Sequence, residues 1–318
     1  MDRLDPTFLN EDPREGPPHH ENNPHRFHPD HRPAGRPVRR AAARRGRPAA
    51  EAKPPLTAHI DLASRYVLRG ITTTYGNGAP LGNAGGDAPE SDKPVLQWGA
   101  DYNHPSGFYA GYWASQINYS YAQVGRSYAD PSITAFQRGK SIENDLYAGY
   151  NGTLGELGYS AGLTYYHYVR GEGSNAFETK LGLSWGPVAL TAQTLLRDTV
   201  WGNRGDTYWS AVYTRALPWD LSFTANLGLY TYSKEGRYFG TTDTRSGAAC
   251  GAGAAFVING CYAGKAPVGS GFRHLILGLS QPIADTGLTW SLQGILAGRN
   301  RFGVSQGDRV VASLSYGF

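Results

Sequence analysis

The feature that most limits what this chain can become is an alternation of period two, repeated in long segments and carried to the last residue. In the closing stretch RVVASLSYGF, Val310, Ala312, Leu314, Tyr316 and Phe318 form one set, and Arg309, Val311, Ser313, Ser315 and Gly317 the other. Successive side chains of a strand point to opposite faces, so such a segment has an apolar face and a small or polar one. Terminal residues are usually frayed and free of pattern. Here the final Phe318 belongs to the pattern.

The same period recurs from residue 56 onward. In 220–232, Leu221, Phe223, Ala225, Leu227 and Leu229 alternate with Ser222, Thr224, Asn226 and Gly228. In 287–298, Leu288, Trp290, Leu292 and Leu296 alternate with Thr289, Ser291 and Gln293. The pattern predicts twelve strands: 57–71, 94–103, 108–119, 141–151, 157–169, 175–185, 187–199, 206–217, 220–232, 271–282, 287–298 and 308–318. Five connections are tight: HPSG (104–107), GTLGE (152–156), WGP (185–187), LPWD (217–220) and ADTG (284–287). Their Gly, Pro, Asp and Asn suit turn dihedrals. The other six, 72–93, 120–140, 170–174, 200–205, 233–270 and 299–307, are looser. Tight and loose connections alternate strictly, the plan of a closed antiparallel transmembrane β-barrel with short turns at one rim and longer loops at the other.

A soluble β-sandwich shares the period and is the structural rival; it predicts a chain that stays monomeric without detergent. Three features favour the membrane. Segments of about ten residues match a tilted strand crossing a bilayer, against about five or six for an average strand. Trp185, Trp219, Tyr66, Tyr168, Trp201 and Trp209 fall near predicted strand ends, where aromatic belts sit. A terminal Phe on the last strand is also a feature of bacterial outer-membrane barrels, where that end resembles the signal read by the assembly machinery. The mean hydropathy of −0.45 excludes a bundle of transmembrane helices.

Residues 1–55 are unlike the rest. They hold 11 of the 20 prolines and five of the nine histidines, and no Tyr or Trp. Such a composition cannot bury enough apolar surface to order itself. They carry 11 Lys/Arg against 8 Asp/Glu, or +3, which leaves 19 against 18, or +1, for the other 263 residues. The nearly neutral body gives no case for a nucleic-acid surface. A basic arm, or weak metal binding at His19, His20, His25, His28 and His31, are two readings of the tail. A disordered tail, or a mis-assigned start in place of a targeting peptide, explains it more simply. It shows no apolar core of a secretory signal, which weighs against export. Cys250 and Cys261, in a Gly- and Ala-rich stretch, fit a single loop-closing disulfide of an oxidising compartment, with two unpaired thiols as the alternative. Their spacing matches no zinc pattern, and no metal or other cofactor is expected.

Three blocks, ASRYVLRGIT (63–72), PVLQWGADYNHPSGFYAGYWASQINY (94–119) and ENDLYAGYNGTLGELGYSAGLTYYHY (143–168), resemble successive blocks of the TorF family of proteobacterial barrels, which carry the porin label. The resemblance covers about 60–318 and is strongest over the first five strands. It implies an exported outer-membrane barrel that normally begins with a signal peptide. It implies no particular solute.

The predicted inward set carries charges of both signs. Asp61, Arg65 and Arg69 fall on the first strand, Gln97 and Asp101 on the second, and Glu143 and Asp145 on the fourth. Glu178 and Lys180 follow on the sixth, Gln193 and Arg197 on the seventh, and Gln281, Gln293 and Arg309 on the last three. One reading is a polar pore whose charges bias which solutes pass; the other is a lumen in which opposite charges pair and plug the barrel. Barrels of about eight strands fill themselves and those of about sixteen leave a channel. With twelve strands and many inward Gly, Ser and Thr, an open narrow channel is expected.

Chemistry has little to stand on. The body holds His59, His104, His167 and His274. His167, near the outer rim, is the candidate base for a lipid-modifying enzyme, but no GxSxG elbow or HExxH accompanies it. GNGAPLGNAGGDAP (76–89) lacks the Gly-Lys-Ser/Thr of a phosphate cradle and reads as an external loop. The expectation is therefore a porin of the cell outer membrane, passing small polar solutes by diffusion, without catalysis. Its partners are membrane lipid, the assembly machinery acting on the strand that ends at Phe318, and the solutes themselves. The alternatives are a closed structural or adhesive barrel binding partners through its loops, and the lipid-modifying enzyme.

Overall fold

The alternating segments form twelve antiparallel strands: β1 (Leu56–Ala63), β2 (Val95–Asn103), β3 (Phe108–Ile117), β4 (Ser141–Leu154), β5 (Leu157–Tyr168), β6 (Ala176–Trp185), β7 (Val188–Leu195), β8 (Thr207–Ala216), β9 (Ser222–Thr231), β10 (Ser270–Ile283), β11 (Leu288–Ala297) and β12 (Arg309–Gly317). A short helix, α1 (Tyr121–Ser127), lies between β3 and β4. The computed structural model describes residues 55–72, 91–118, 120–127, 141–238, 269–301 and 305–318, with isolated positions between. The tail 1–54, the loop 76–89, Cys250 and Cys261 lie outside the described residues.

Each strand pairs with its sequence neighbours, and β1 pairs with β12 to close the ring. His59 stands opposite Gly317 and Ala63 opposite Ser313. Ala58 and Phe318 exchange N–H···O=C bonds of 2.8 and 2.9 Å, so the last residue is part of the seam. This closure leaves no sheet edge.

The two faces differ sharply. Every strand contributes an exposed large apolar side chain to the exterior, among them Leu62, Leu96, Leu146, Leu163, Leu181, Leu190, Leu227, Leu277, Leu292 and Leu314. Every charged residue of the strands lies on the opposite, lumenal face, except Arg215 at the turn end of β8, and all but Arg273 arrive there by alternation. Trp185, Trp209 and Trp219 are exposed at strand ends. Tyr66, Tyr168 and Trp201, expected in the same belts, lie inside instead: Tyr66 and Tyr168 belong to a buried cluster with Trp113, Tyr121, Val124 and Leu195, and Trp201 packs against it. Alternation alone placed them at strand ends; the loops that carry or cover them fold inward.

Two strands stop well before their expected ends. β1 stops at Ala63, not 71, because Ser64 makes the last bond to β12 (N–H to Ala312 O, 2.8 Å) and the chain then turns into the lumen. Arg65 and Arg69 therefore lie beyond β1. β7 stops at Leu195, which leaves Arg197 exposed in the following loop, off the strand. Gln281 falls on the outward set of β10, where its amide oxygen accepts from Trp290 Nε1 at 3.3 Å. The helix α1 was not legible as a period: its seven residues bury Tyr121, Ala122 and Val124 against the inside of the barrel.

The inward glycines of β4 and β5 do not widen the lumen as expected. Tyr109 lies across Gly149 and Gly162, and a Cβ at either position would fall inside contact distance of its hydroxyl. These glycines seat a ring. Gly162→Ala is therefore expected to destabilise the folded barrel by about 1–3 kcal/mol through overpacking. Tyr109→Phe, which removes the nearest atom, should recover part of that loss in the double variant, read as a coupling energy from urea unfolding of the detergent-folded protein.

Candidate functional site

The segment 64–72 is a strap through the lumen. It leaves β1 at the loop-side rim and is held by a two-bond bridge between Tyr66 and Ser91 and by the Thr72 N–H to Gln306 Oε1 bond of 3.2 Å. At its turn, Arg69 and Gly70 both have left-handed φ, 48° and 75°. Gly70 lies against β10: a Cβ there would come within 2.6 Å of the Arg273 carbonyl oxygen. In a ring of twelve, β6 and β7 stand opposite β1. The strap itself runs along the β10–β12 wall, with Val67 packed against Ile276, Ile295 and Val311, and only the Arg69 side chain reaches across to β6 and β7.

The Arg69 guanidinium grips the far wall. Nη1 and Nη2 donate to Glu178 Oε1 and Oε2 at 2.9 and 2.6 Å, a bidentate pair. Nη1 also donates to Tyr230 Oη at 2.7 Å and Nη2 to Gln193 Oε1 at 2.7 Å. Tyr166 Oη donates to the same carboxylate at 2.8 Å. Burial, the largest single influence, would lower the arginine's pKa, but Glu178, Tyr230 and Tyr166 together outweigh it and hold Arg69 well above its ordinary value. A second buried pair lies alongside: Arg301 Nη1 donates to Asp206 Oδ2 at 2.6 Å. Burial pushes the Asp206 carboxyl up, against the opposing pull of Arg301 and the N–H groups of Asn203 and Ser233.

Arg273 arrives by a bulge. The register between β9 and β10 shifts between Phe272 and His274, which leaves Arg273 as the extra residue. Strict alternation would turn it outward with Leu275 and Leu277; the bulge re-aims it into the lumen, where it is 1% exposed. It donates to the Arg69 carbonyl (3.3 Å), Tyr232 Oη (3.1 Å) and the Arg299 carbonyl (3.3 Å). Tyrosines interleave the three arginines: Arg69 lies 4.6 Å from the Tyr208 ring centroid, Arg273 5.3 Å from Tyr230 and Arg301 5.1 Å from Tyr232. Tyr230 and Tyr232 are stacked at 5.0 Å. The three arginines line a small cavity of about 40 Å³ with Tyr230, Tyr232, Glu178 and Asp206.

The structure brings Arg69, Glu178 and Gln193 into one network and leaves the other expected residues apart from it. Asp61 accepts from or pairs with His59 at 2.9 Å near the turn-side rim. Tyr147 Oη donates to Asp101, and Gln97 Nε2 donates to Ser115 Oγ at 3.1 Å. Glu143 and Asp145 are fully buried on β4. Lys180 and Gln293 are half-buried on the inward sets of β6 and β11. Arg309 begins β12 half-buried, with Nη1 donating to the Asp308 carbonyl at 2.8 Å. Sequence reasoning missed Arg273, Arg301, Asp206 and the tyrosines. The one available signal was the break in alternation at Phe272-Arg273-His274.

His167 faces outward at the loop end of β5, its Nδ1 3.2 Å from Asn175 Nδ2. His274 Nε2 is 2.8 Å from Tyr208 Oη inside the lumen. His104 sits in the β2–β3 turn with Ser106 Oγ at 2.7 Å.

Because Arg69 and Glu178 are both nearly solvent-free, removing one partner strands the other. Glu178→Gln and Arg69→Met are each expected to cost about 3–5 kcal/mol, and the apolar double variant Arg69→Met/Glu178→Leu much less than their sum. Chemical unfolding of the four proteins measures this.

The chain has been compared with known proteins. No curated protein sequence matches it. Among solved structures, the porin NanC is similar with a TM-score of 0.41 and 9% identity, over 81% of this chain and 97% of that one. Outer membrane phospholipase A from Escherichia coli is similar with a TM-score of 0.37 and 12% identity, over 82% and 95%. OmpF of Salmonella typhi is similar with a TM-score of 0.34 and 11% identity, over 83% and 97%. No residue role passes from these proteins to this chain. Residues 49–268, well over half of the 318, match the Gcw_chp family of bacterial proteins of unknown function, and the chain belongs to that family.

Proposed function

We propose that this chain is a bacterial outer-membrane barrel through which small polar solutes diffuse passively, with the strap setting the constriction. The observation that carries the reading is the inversion of the two faces. Large apolar side chains from all twelve strands face out, while every strand carboxylate faces in. In water such an exterior is an aggregation hazard; in lipid it is the stable choice. The resemblance to the TorF blocks agrees with this reading. Membrane lipid and the assembly machinery are the partners it implies, the latter through the strand that ends in Phe318.

The lumen is uneven. Toward the turn-side rim the inward set is rich in small polar residues, such as Ser160, Thr191, Ser210, Thr224, Ser291 and Ser313. Toward the loop side it holds the strap, α1 and the aromatic cluster. That filling favours a second reading, a closed barrel that acts through its loops.

Planar-bilayer recording of the folded protein separates the two. The pore reading expects unit conductance steps in the wild type and larger steps in Arg69→Ala, which frees the strap from the far wall. A silent wild type with a conducting Arg69→Ala barrel supports the plugged reading. Silence in both, from correctly folded samples, removes transport. The lipid exterior has its own test: Leu163→Arg, at mid-strand on β5, should destabilise the barrel in vesicles by about 2–4 kcal/mol. A shift within about 0.5 kcal/mol, as for an ordinary wet surface, would sink the membrane assignment.

A further inference from the structure

Along β10, β11 and β12 the inward face changes character partway down the barrel. On the loop side Ile276, Ile295 and Val311 are buried against Val67 of the strap. On the turn side the register sets four serines in a row: Ser222 of β9 opposite Ser280 of β10, Ser280 opposite Ser291 of β11, and Ser291 opposite Ser313 of β12. Neighbours in such a row stand about 4.8 Å apart, the spacing of paired strands. Thr214, Thr224, Gly278 and Gln293 form a second row of the same kind. Both rows face inward yet are only half-buried, so water reaches this part of the lumen. A Cβ at Gly278 would have Gln293 Cγ, at 3.5 Å, as its nearest neighbour, unlike the crowded Gly149 and Gly162.

This wall carries no charge. No ionisable side chain faces inward on the turn-side halves of β8–β12, and Asp61 on the adjoining β1 is paired with His59 at 2.9 Å. Each hydroxyl both donates and accepts. Ser291 Oγ and Ser313 Oγ already bond each other at 2.7 Å. Thr214 Oγ1, Gln293 Oε1 and, on β5, Ser160 Oγ have no hydrogen-bond partner in the protein, and Ser160 is 5% exposed. A charged solute moving from water to such a surface loses hydration and gains no counter-charge. A polyol exchanges one hydroxyl partner for another at little net cost. We propose that this hydroxyl wall binds small uncharged polyhydroxylated solutes, the polyols and monosaccharides, in a vestibule that ends at the strap. The proposal deepens the pore reading by naming its solute class; it rests on that reading for passage, while binding at the wall does not.

The test uses the full chain folded in detergent. Saturation-transfer NMR compares mannitol with sodium gluconate and glucosamine hydrochloride, charged probes of the same carbon count. Mannitol should bind about tenfold more tightly than either. Ser291→Ala/Ser313→Ala should weaken mannitol binding by about three- to tenfold. Ser222→Ala/Ser280→Ala, in the other half of the row, should do the same if the first pair does not fold. Equal binding of the three probes, or mannitol binding of full strength in a folded alanine pair, would overturn the proposal. Swelling of vesicles that carry the protein separates this result from the pore reading. Mannitol binding without swelling in any solute supports the wall and removes passage. Swelling at equal rates in all three solutes supports passage and overturns the solute class.

Discussion

The seam between β1 and β12 is the constraint on which everything else rests. Ala58 and Phe318 satisfy each other's backbone groups, and the register from His59–Gly317 to Ala63–Ser313 follows from that contact. A ring without edges has no unpaired ladder to expose. It also fixes parity. A slip of one residue in any pair would turn that strand's leucines inward and its carboxylates outward. The single break in the β9–β10 register is therefore informative: a bulge delivers Arg273 to the lumen without disturbing the outward leucines that follow it.

Closure at twelve strands encloses more space than the inward side chains of the strands alone would fill. The chain fills the loop-side half with its own connections. The segment after β1 folds in along β10–β12 and sends Arg69 across to β6 and β7, and α1 and its neighbours supply an aromatic core. Burying Arg69 in that position is tolerable only because its donors are met by a carboxylate, an amide and tyrosine hydroxyls at hydrogen-bonding distance. The ion pair thus specifies where the strap lands. Apolar packing around it, with Tyr66 against Trp113 at 5.4 Å, keeps water from competing.

The barrel was legible because its period is short and its turns are chemically distinct. Ten of the strands end within three residues of where alternation and turn residues put them, and the seam at Phe318 was visible in the last ten residues. The strap was not legible for a local reason. Ser64 falls in the apolar set of β1 and Val67 in the polar one, but lapses of this size also occur inside paired strands, and no turn residue marks the point where pairing stops before Gly70. The inward tyrosines failed for a different reason. An aromatic near a strand end reads as belt or as core with equal ease, and only the fold of the adjoining loop decides between them. Glycine misled in the same way: Gly149 and Gly162 read as open space, yet they are the floor under Tyr109.

The lumen's charges are divided by the kind of backbone that carries them. The carboxylates Asp61, Asp101, Glu143, Asp145 and Glu178 all occupy regular positions on β1, β2, β4 and β6. The buried guanidiniums come from irregular backbone: Arg69 from the strap, Arg273 from a bulge and Arg301 from the loop after β11. The sheet thus carries the carboxylates with Lys180 and Arg309 as its half-buried cations, and the fully buried positive charge comes from the strap, the bulge and the loop after β11. Because the pairs that hold the strap and its neighbours are nearly solvent-free, salt screens them far less than it screens charges at the surface.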